Sequence, residues 1–151
     1  IGTKLVIPNS IIQTDQVFYS PLAALSNFIA PDGWRVPTKS DIERLLEQLG
    51  GDSIAGGKLK ETEYENWNFP NQFATNESGF SAKGTGYRSS LGTLENIGER
   101  YSFWSVNTFD SGDTTNTLYW TLRLSFNSNY AILAPDSANI GHPIRLIKNN
   151  K

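Results

Sequence analysis

Residues 51–90 restrict the fold most, because they combine glycines and aromatic residues without a helical or strand periodicity. They read GDSIAGGKLKETEYENWNFPNQFATNESGFSAKGTGYRSS, and no aliphatic run in them is long enough for a buried strand. Glycine permits left-handed backbone and close backbone approach that other residues disfavour. We therefore expect a long irregular segment whose aromatic side chains supply part of the core.

Two helices are predicted before this segment. In TKSDIERLLEQLGG, Thr38 is placed to cap a helix and Asp41 stands three residues later, as in a capping box. Four apolar residues repeat with helical spacing, and two glycines then end the pattern. The four are Ile42, Leu45, Leu46 and Leu49. A shorter helix over residues 21–29 is predicted from the pair Ser20–Pro21, with Leu22, Leu25 and Phe28 on its apolar face.

After the irregular segment the pattern is that of strands. Residues 119–133, YWTLRLSFNSNYAIL, alternate apolar and polar side chains on either side of a polar turn, which predicts a hairpin. Residues 143–148 predict a closing strand, and residues 1–20 predict one or two short strands. Early helices followed by late antiparallel strands indicate an α+β fold. The length of 151 residues is that of a single domain, 1–151.

Composition excludes several classes of function. The chain has no cysteine, so disulfides, thiolate chemistry and cysteine-ligated zinc are excluded. Thirteen basic and 15 acidic side chains give a net charge of −2, and no basic cluster indicates nucleic-acid binding. No apolar run approaches the roughly 18 residues of a membrane-spanning helix. We expect no cofactor and no metal. With Ile1 first and no methionine in the chain, we expect that a targeting segment has been removed.

The aromatic residues are the first candidates for binding, since an aromatic face can pack against a sugar ring while amides and carboxylates bond its hydroxyls. Trp67 lies in the polar string NWN and is expected to be exposed, beside Asn66 and Asn68. Asp110 and Asp113 flank a glycine turn that could either hold calcium or only form a turn. For most of the rings, core packing is the alternative interpretation. The rings considered are Trp67, Phe69, Phe73, Phe80, Tyr87, Tyr101, Phe103 and Trp104.

Catalysis is the second class of function. Glu61, Glu63 and Glu65 alternate along KETEYEN, and Glu77 follows. Paired carboxylates could serve a hydrolase or transferase, although a solvated loop also explains them. His142, the one histidine, lies between Gly141 and Pro143, where a turn or packing role is favoured over a catalytic one.

Five motifs taken together resemble the Fibrobacter succinogenes major paralogous domain over about residues 20–148. The motifs are GWRVPT (33–38), LGGDSIAGGKLK (49–60), NW with ATNESGFSAKGTGYR (66–67 and 74–88), FWS (103–105) and GHPIRLIK (141–148). The resemblance implies a C-type-lectin-like fold related to the formylglycine-generating enzymes. Such a fold has two early helices, a long loop region and a small twisted antiparallel sheet whose ends meet. Trp34 then packs under the first helix, and Arg35 pairs internally.

The resemblance also implies a function. Such domains are secreted or lipid-anchored surface proteins of the Bacteroidetes and Fibrobacter groups, so we expect an extracellular location and a lipid anchor in the removed segment. We expect a non-catalytic, adhesin-like module that binds a glycan or a surface protein through loops at residues 61–76 and 106–117. A carboxylate-dependent enzyme and a purely structural domain are the alternatives. The sequence has neither the cysteines of the formylglycine enzymes nor the calcium-binding triplets Glu-Pro-Asn and Gln-Pro-Asp of lectins. The oligomeric state stays open.

Overall fold

The computed structural model describes residues 17–26 and 29–150. In these ranges the chain forms three helices, α1 (Pro21–Leu25), α2 (Lys39–Gln48) and α3 (Asp52–Leu59). It also forms the strands β1 (Trp34–Arg35), β2 (Tyr87–Arg88), β3 (Leu94–Glu95), β4 (Arg100–Phe109), β5 (Leu118–Ser125), β6 (Ala131–Ser137) and β7 (Ile147–Lys148). The strands predicted before residue 17, and Phe28 of the predicted first helix, lie outside the described residues.

Helix α2 confirms the strongest helical pattern in the sequence. The backbone N–H of Asp41 donates to Thr38 Oγ1 at 3.1 Å, and Asp41 Oδ2 accepts from the N–H of Thr38 at 2.9 Å. This reciprocal pair is the predicted capping box, and it satisfies two N–H groups that a helix start leaves without partners. Ile42 and Leu46 on the predicted apolar face are buried.

Helix α1 is shorter than predicted, and the face that it packs against the core is not the predicted one. Ser20 caps it, accepting from the N–H of Ala23 at 3.2 Å, but the helix ends at Leu25. Leu22 and Leu25, expected on the buried face, are exposed, whereas Ala24 is buried. The prediction was wrong because a five-residue helix is oriented by what it packs on, here strand β4, and a small side chain permits the closer approach.

Helix α3 was not predicted, because two adjacent glycines lower helix propensity. Both glycines are needed for close packing. The N–H of Gly56 donates to the carbonyl of Asn129 at 2.8 Å. A Cβ atom at Gly57 would lie 2.1 Å from the carbonyl oxygen of Phe73. The glycines therefore allow the backbone of other segments to touch the helix.

The central sheet is antiparallel in the order β4–β5–β6. It contains the predicted hairpin, in which β5 pairs with β6 and Leu122 stands opposite Leu133. Strand β4, which flanks β5 on the other side, was not predicted. Residues 101–105 of β4 are all buried, so the strand lacks the alternation by which a half-buried strand is recognised.

The sheet separates two hydrophobic clusters, because successive side chains of a strand point to opposite faces. Phe103 and Leu122 belong to the first cluster, with residues of α2 and α3 and with Trp67. Trp104 and Tyr119 belong to the second cluster, with α1 and the segment that leads into β7. Loop aromatic residues such as Phe80 fill the first cluster, as the composition of residues 51–90 predicted.

Strands β1 and β7 bring together the motifs GWRVPT (33–38) and GHPIRLIK (141–148), which lie far apart in the sequence. Trp34 pairs with Lys148 and Arg35 with Ile147. The predicted closing strand is therefore present but includes only two of residues 143–148 as strand. Arg35 pairs internally with Asp41, as expected. Helices together with small antiparallel sheets confirm the α+β class.

Candidate functional site

Trp67, which we expected at the surface, is buried. Only 1% of its surface is exposed, and its indole Nε1 donates to the carbonyl of Ala82 at 2.8 Å. The ring belongs to the first hydrophobic cluster, so the prediction of an exposed Trp67 face was wrong. Asn66 and Asn68 misled the prediction, because they stay near the surface while the ring between them turns inward.

Behind the Trp67 ring lies Lys60, a buried cation that the sequence did not single out. Its Nζ atom is 5.7 Å from the ring centroid. Three carbonyl oxygens accept from Nζ, those of Gln72 at 2.7 Å, Ser125 at 2.9 Å and Ser128 at 3.1 Å. Burial lowers the pKa of Lys60 to about 8. The ammonium therefore joins the loop at residues 61–76 to the β5–β6 turn.

Three rings of this loop are exposed, and two of them, Tyr64 and Phe69, form a pair. Their exposed fractions are 57% and 77%, and their centroids lie 5.7 Å apart. The planes are inclined at 49°, within the range of favourable aromatic pairs. The two rings support each other beside Trp67 and leave much of their surface free. An exposed aromatic surface is thus present in the predicted loop, but Tyr64 and Phe69 provide it.

A shallow cleft of about 220 Å³ adjoins this pair and includes Tyr64 in its wall. Its other lining residues include Asn66, Asn68, Lys83, Thr85 and Ile97. Asn66 Nδ2 donates to Glu61 Oε2 at 2.7 Å, which fixes its amide. A Cβ atom at Gly98 would lie 2.4 Å from Asn68 Oδ1, so glycine is required there for the asparagine to fit. Amide, ammonium and hydroxyl groups, with the carboxylate of Glu65, therefore line the cleft beside Tyr64.

Asp110 and Asp113 do not join this cleft. They follow β4, whereas Asn68 hydrogen-bonds Gly98 just before β4 begins. A ten-residue strand is about 30 Å long, so the two halves of the predicted site lie at opposite ends of β4.

Each of these aspartates serves a local turn. Asp110 Oδ1 accepts from the N–H of Gly112 at 2.9 Å, and Asp113 Oδ1 accepts from the N–H of Thr115 at 2.9 Å. Hydrogen bonds from Thr115 lower the pKa of the Asp113 carboxyl. The turn interpretation therefore accounts for both. In residues 17–26 and 29–150 no group of three or more His, Asp or Glu side chains is placed to hold a metal.

A second polar cluster lies on the opposite face of the sheet, where sequence reasoning did not place one. His142 is fully buried, and its Nε2 lies 2.8 Å from Asp136 Oδ2. Arg100 and Arg123 approach the same oxygen at 3.6 and 3.3 Å. His142 thus has the packing role that we expected, and its ring meets Trp104 edge to face at 4.7 Å. Alternation along β4 and β5 places the two arginines on one face once β4 is recognised as a strand.

Burial decides the charge of the histidine. It lowers the pKa of His142 and outweighs the opposing effect of Asp136, so the ring is neutral at pH 7 and Nε2–H donates to the carboxylate. Burial acts to raise the pKa of Asp136, but the hydrogen bond from His142 and nearby positive charge outweigh it and hold that pKa below its ordinary value.

The carboxylates proposed for the enzyme alternative have separate partners. Glu61 accepts from Asn66, while Glu77 is exposed and lies 3.9 Å from Lys58 Nζ. Glu63 and Glu65 are also exposed.

Comparison with known families identifies the chain's relatives. The model of the Fibrobacter succinogenes major domain matches residues 9–148. The chain belongs to this family. The match confirms the resemblance drawn from the five motifs and extends it toward the start of the chain. No curated protein and no solved structure matches this chain. Among the helices of the described part, none has the length and hydropathy needed to cross a membrane.

Proposed function

We propose that this domain is a non-catalytic, extracellular binding module that recognises a glycan through Tyr64 and Phe69. The observation that carries the proposal is the exposure of this aromatic pair beside a cleft with amide, ammonium and hydroxyl groups. The apolar face of a sugar packs on such rings, and its hydroxyl groups bond to the polar side chains. The rings project from a loop that Lys60 and Trp67 fix from below, which reduces the entropy lost on binding.

The finer fold assignment and the location belong to the same proposal. A C-type-lectin-like arrangement is supported by the pairing of β1 with β7, which joins the two ends of the domain, and by the long loop region between α3 and β2. For such a module we propose a location at the outer cell surface with a lipid anchor, as the family resemblance implies.

A glycan-array screen tests this function, performed once with calcium and once with a chelator. We expect selective binding that does not depend on calcium. The double variant Tyr64→Ala/Phe69→Ala should lose it, because both stacking surfaces are removed. Phe73→Ala is the matched control, since Phe73 is 59% exposed in the same loop but lines another cleft. The proposal would be overturned if the parent domain bound no glycan on the array, or if Phe73→Ala lost as much glycan binding as the double variant.

A further inference from the structure

A second cleft, of about 380 Å³, is lined by Arg100 and Arg123. Both side chains keep part of their surface exposed, 23% for Arg100 and 30% for Arg123. Apart from Glu99, the other lining residues offer neutral amide and hydroxyl groups together with apolar surface. They include Asn96, Ser125, Asn127, Ser128, Tyr130 and Ile132.

Positive charge exceeds negative charge where the arginines meet. Asp136 is the one carboxylate within 4 Å of both guanidinium groups among the described residues, and His142 beside it is neutral at pH 7. Glu99 also lines the cleft, but it accepts from Asn96 Nδ2 at 2.9 Å and forms no described ion pair with either arginine. One carboxylate therefore serves two cations.

Hydrogen-bond donors also outnumber acceptors in this cluster. Arg100 Nη2 and Arg123 Nε are buried and have no hydrogen-bond partner in the described part of the chain. Arg100 Nη2 lies 3.6 Å from Asp136, which is longer than a hydrogen bond. Burial, followed by repulsion from Arg123, lowers the pKa of Arg100, and the attraction of Asp136 does not offset them. An anion bound in the cleft would offset the repulsion between the two guanidinium groups.

The two clefts are neighbours. Ile97 and Gly98 line the cleft beside Tyr64, while Asn96 and Glu99 line the arginine cleft. The turn at residues 96–99 is thus a shared wall, with an aromatic surface on one side and a cationic surface on the other. A ligand that crosses this turn would meet both.

We propose that Arg100 and Arg123 bind an oxyanion, a carboxylate or a sulfate, of an acidic glycan whose adjoining sugar packs on Tyr64 and Phe69. The planar guanidinium group presents several donors that match the oxygen atoms of such anions. The glycan part of this inference rests on the proposed function, whereas the anion site stands on the arginine cleft itself.

Nuclear magnetic resonance of the ¹⁵N-labelled domain, observing the arginine Nε–Hε signals, tests the inference with four probes. Sodium sulfate tests the anion site without a sugar. Trigalacturonate and galactose 6-sulfate distinguish a carboxylate from a sulfate source, and the methyl ester of trigalacturonate is the uncharged counterpart. We expect the Arg100 and Arg123 signals to shift with sulfate, and one acidic sugar to bind about tenfold more tightly than the ester.

Arg123→Gln should abolish the sulfate response, while Arg88→Gln, which removes an exposed arginine outside the cleft, should keep it. Arg123→Lys keeps the charge and replaces the Gln variant if that one does not fold. Arg123→Lys should weaken the sulfate response without abolishing it.

Tyr64→Ala/Phe69→Ala should lose sugar binding but retain the sulfate response, which separates failure of the proposed function from failure of this inference. No sulfate shift in the parent domain, or the same shift in Arg123→Gln, would overturn the anion site. Equal affinity for the ester and both acidic sugars would overturn its assignment to an acidic glycan.

Discussion

Lys60 and Trp67 form a buried cation–ring pair, with Nζ 5.7 Å from the ring centroid and its hydrogen bonds directed to three backbone carbonyls. Trp67 belongs to the loop that carries the exposed aromatic residues, and Lys60 directly precedes that loop. The pair fixes the position of the proposed binding surface, although both side chains are themselves buried.

Lys60→Met should destabilise the domain by about 3 kcal/mol or more, because three carbonyl groups lose their buried donor while the volume is nearly kept. Urea unfolding at pH 7 measures this change. The control is Lys83→Met, a partly exposed lysine for which we expect less than about 0.5 kcal/mol. Equal stabilities of the two variants would show that the ammonium of Lys60 does not hold the loop.

Asp41 should make the domain sensitive to acid. Burial acts to raise the pKa of Asp41, but hydrogen bonds from Arg35, Thr38 and Arg44 outweigh it and hold that pKa well below its ordinary value. With the folded pKa depressed, the stabilisation is complete above about pH 4 and is lost as the pH falls further. Asp41→Asn should lower stability at pH 7 by about 2 kcal/mol and flatten the dependence on pH below 4. Thermal unfolding at stepped pH measures both effects. An unchanged acid profile in the variant would contradict this prediction.

His142 should make the stability of the domain depend on pH in a higher range than Asp41 does. Its folded pKa lies below the ordinary value of 6.5, so the unfolded chain takes up a proton first as the pH falls. Stability should therefore decrease below about pH 6.5, before the effect of Asp41 begins. Comparing urea unfolding at pH 7.5 and pH 5.5 for the parent and for His142→Gln measures the contribution. The variant should show a smaller decrease, and an equal or larger decrease would count against a buried neutral histidine.

Gly57→Ala should cost about 3 kcal/mol, although alanine is the better helix former, because its Cβ atom would collide with the Phe73 carbonyl. Ser53→Ala, at an exposed position of the same helix, is the control and should be close to neutral. Denaturant unfolding compares the two. If Gly57→Ala were as stable as the control, the close approach of the loop to α3 would not exist.

The candidate site was predicted in part. The loop at residues 61–76 does carry exposed aromatic residues, but sequence reasoning chose Trp67, since its flanking asparagines made exposure plausible. The direction of a side chain in an irregular segment has no periodicity from which it can be read. Asp110 and Asp113 were added because they flank a glycine turn in the second predicted loop, at residues 106–117, and the length of β4 separates them from the cleft. The arginine cleft was missed for a related reason. Its arginines come from β4 and β5, and the sequence of β4 does not alternate apolar and polar side chains, so β4 was not recognised as a strand.

By itself, the sequence determined the features that depend on neighbours along the chain. These are the capping box and apolar face of α2, the alternating hairpin of β5 and β6, the glycine turn flanked by Asp110 and Asp113, and membership of the Fibrobacter succinogenes major domain family. Only the tertiary structure decided the orientation of α1, the helix containing Gly56 and Gly57, the burial of Trp67 over Lys60, and the meeting of Arg100 and Arg123 at Asp136. The physical reason is that local spacing fixes backbone preference and capping. The face that becomes buried, and the charges that come together, depend on segments far apart in sequence.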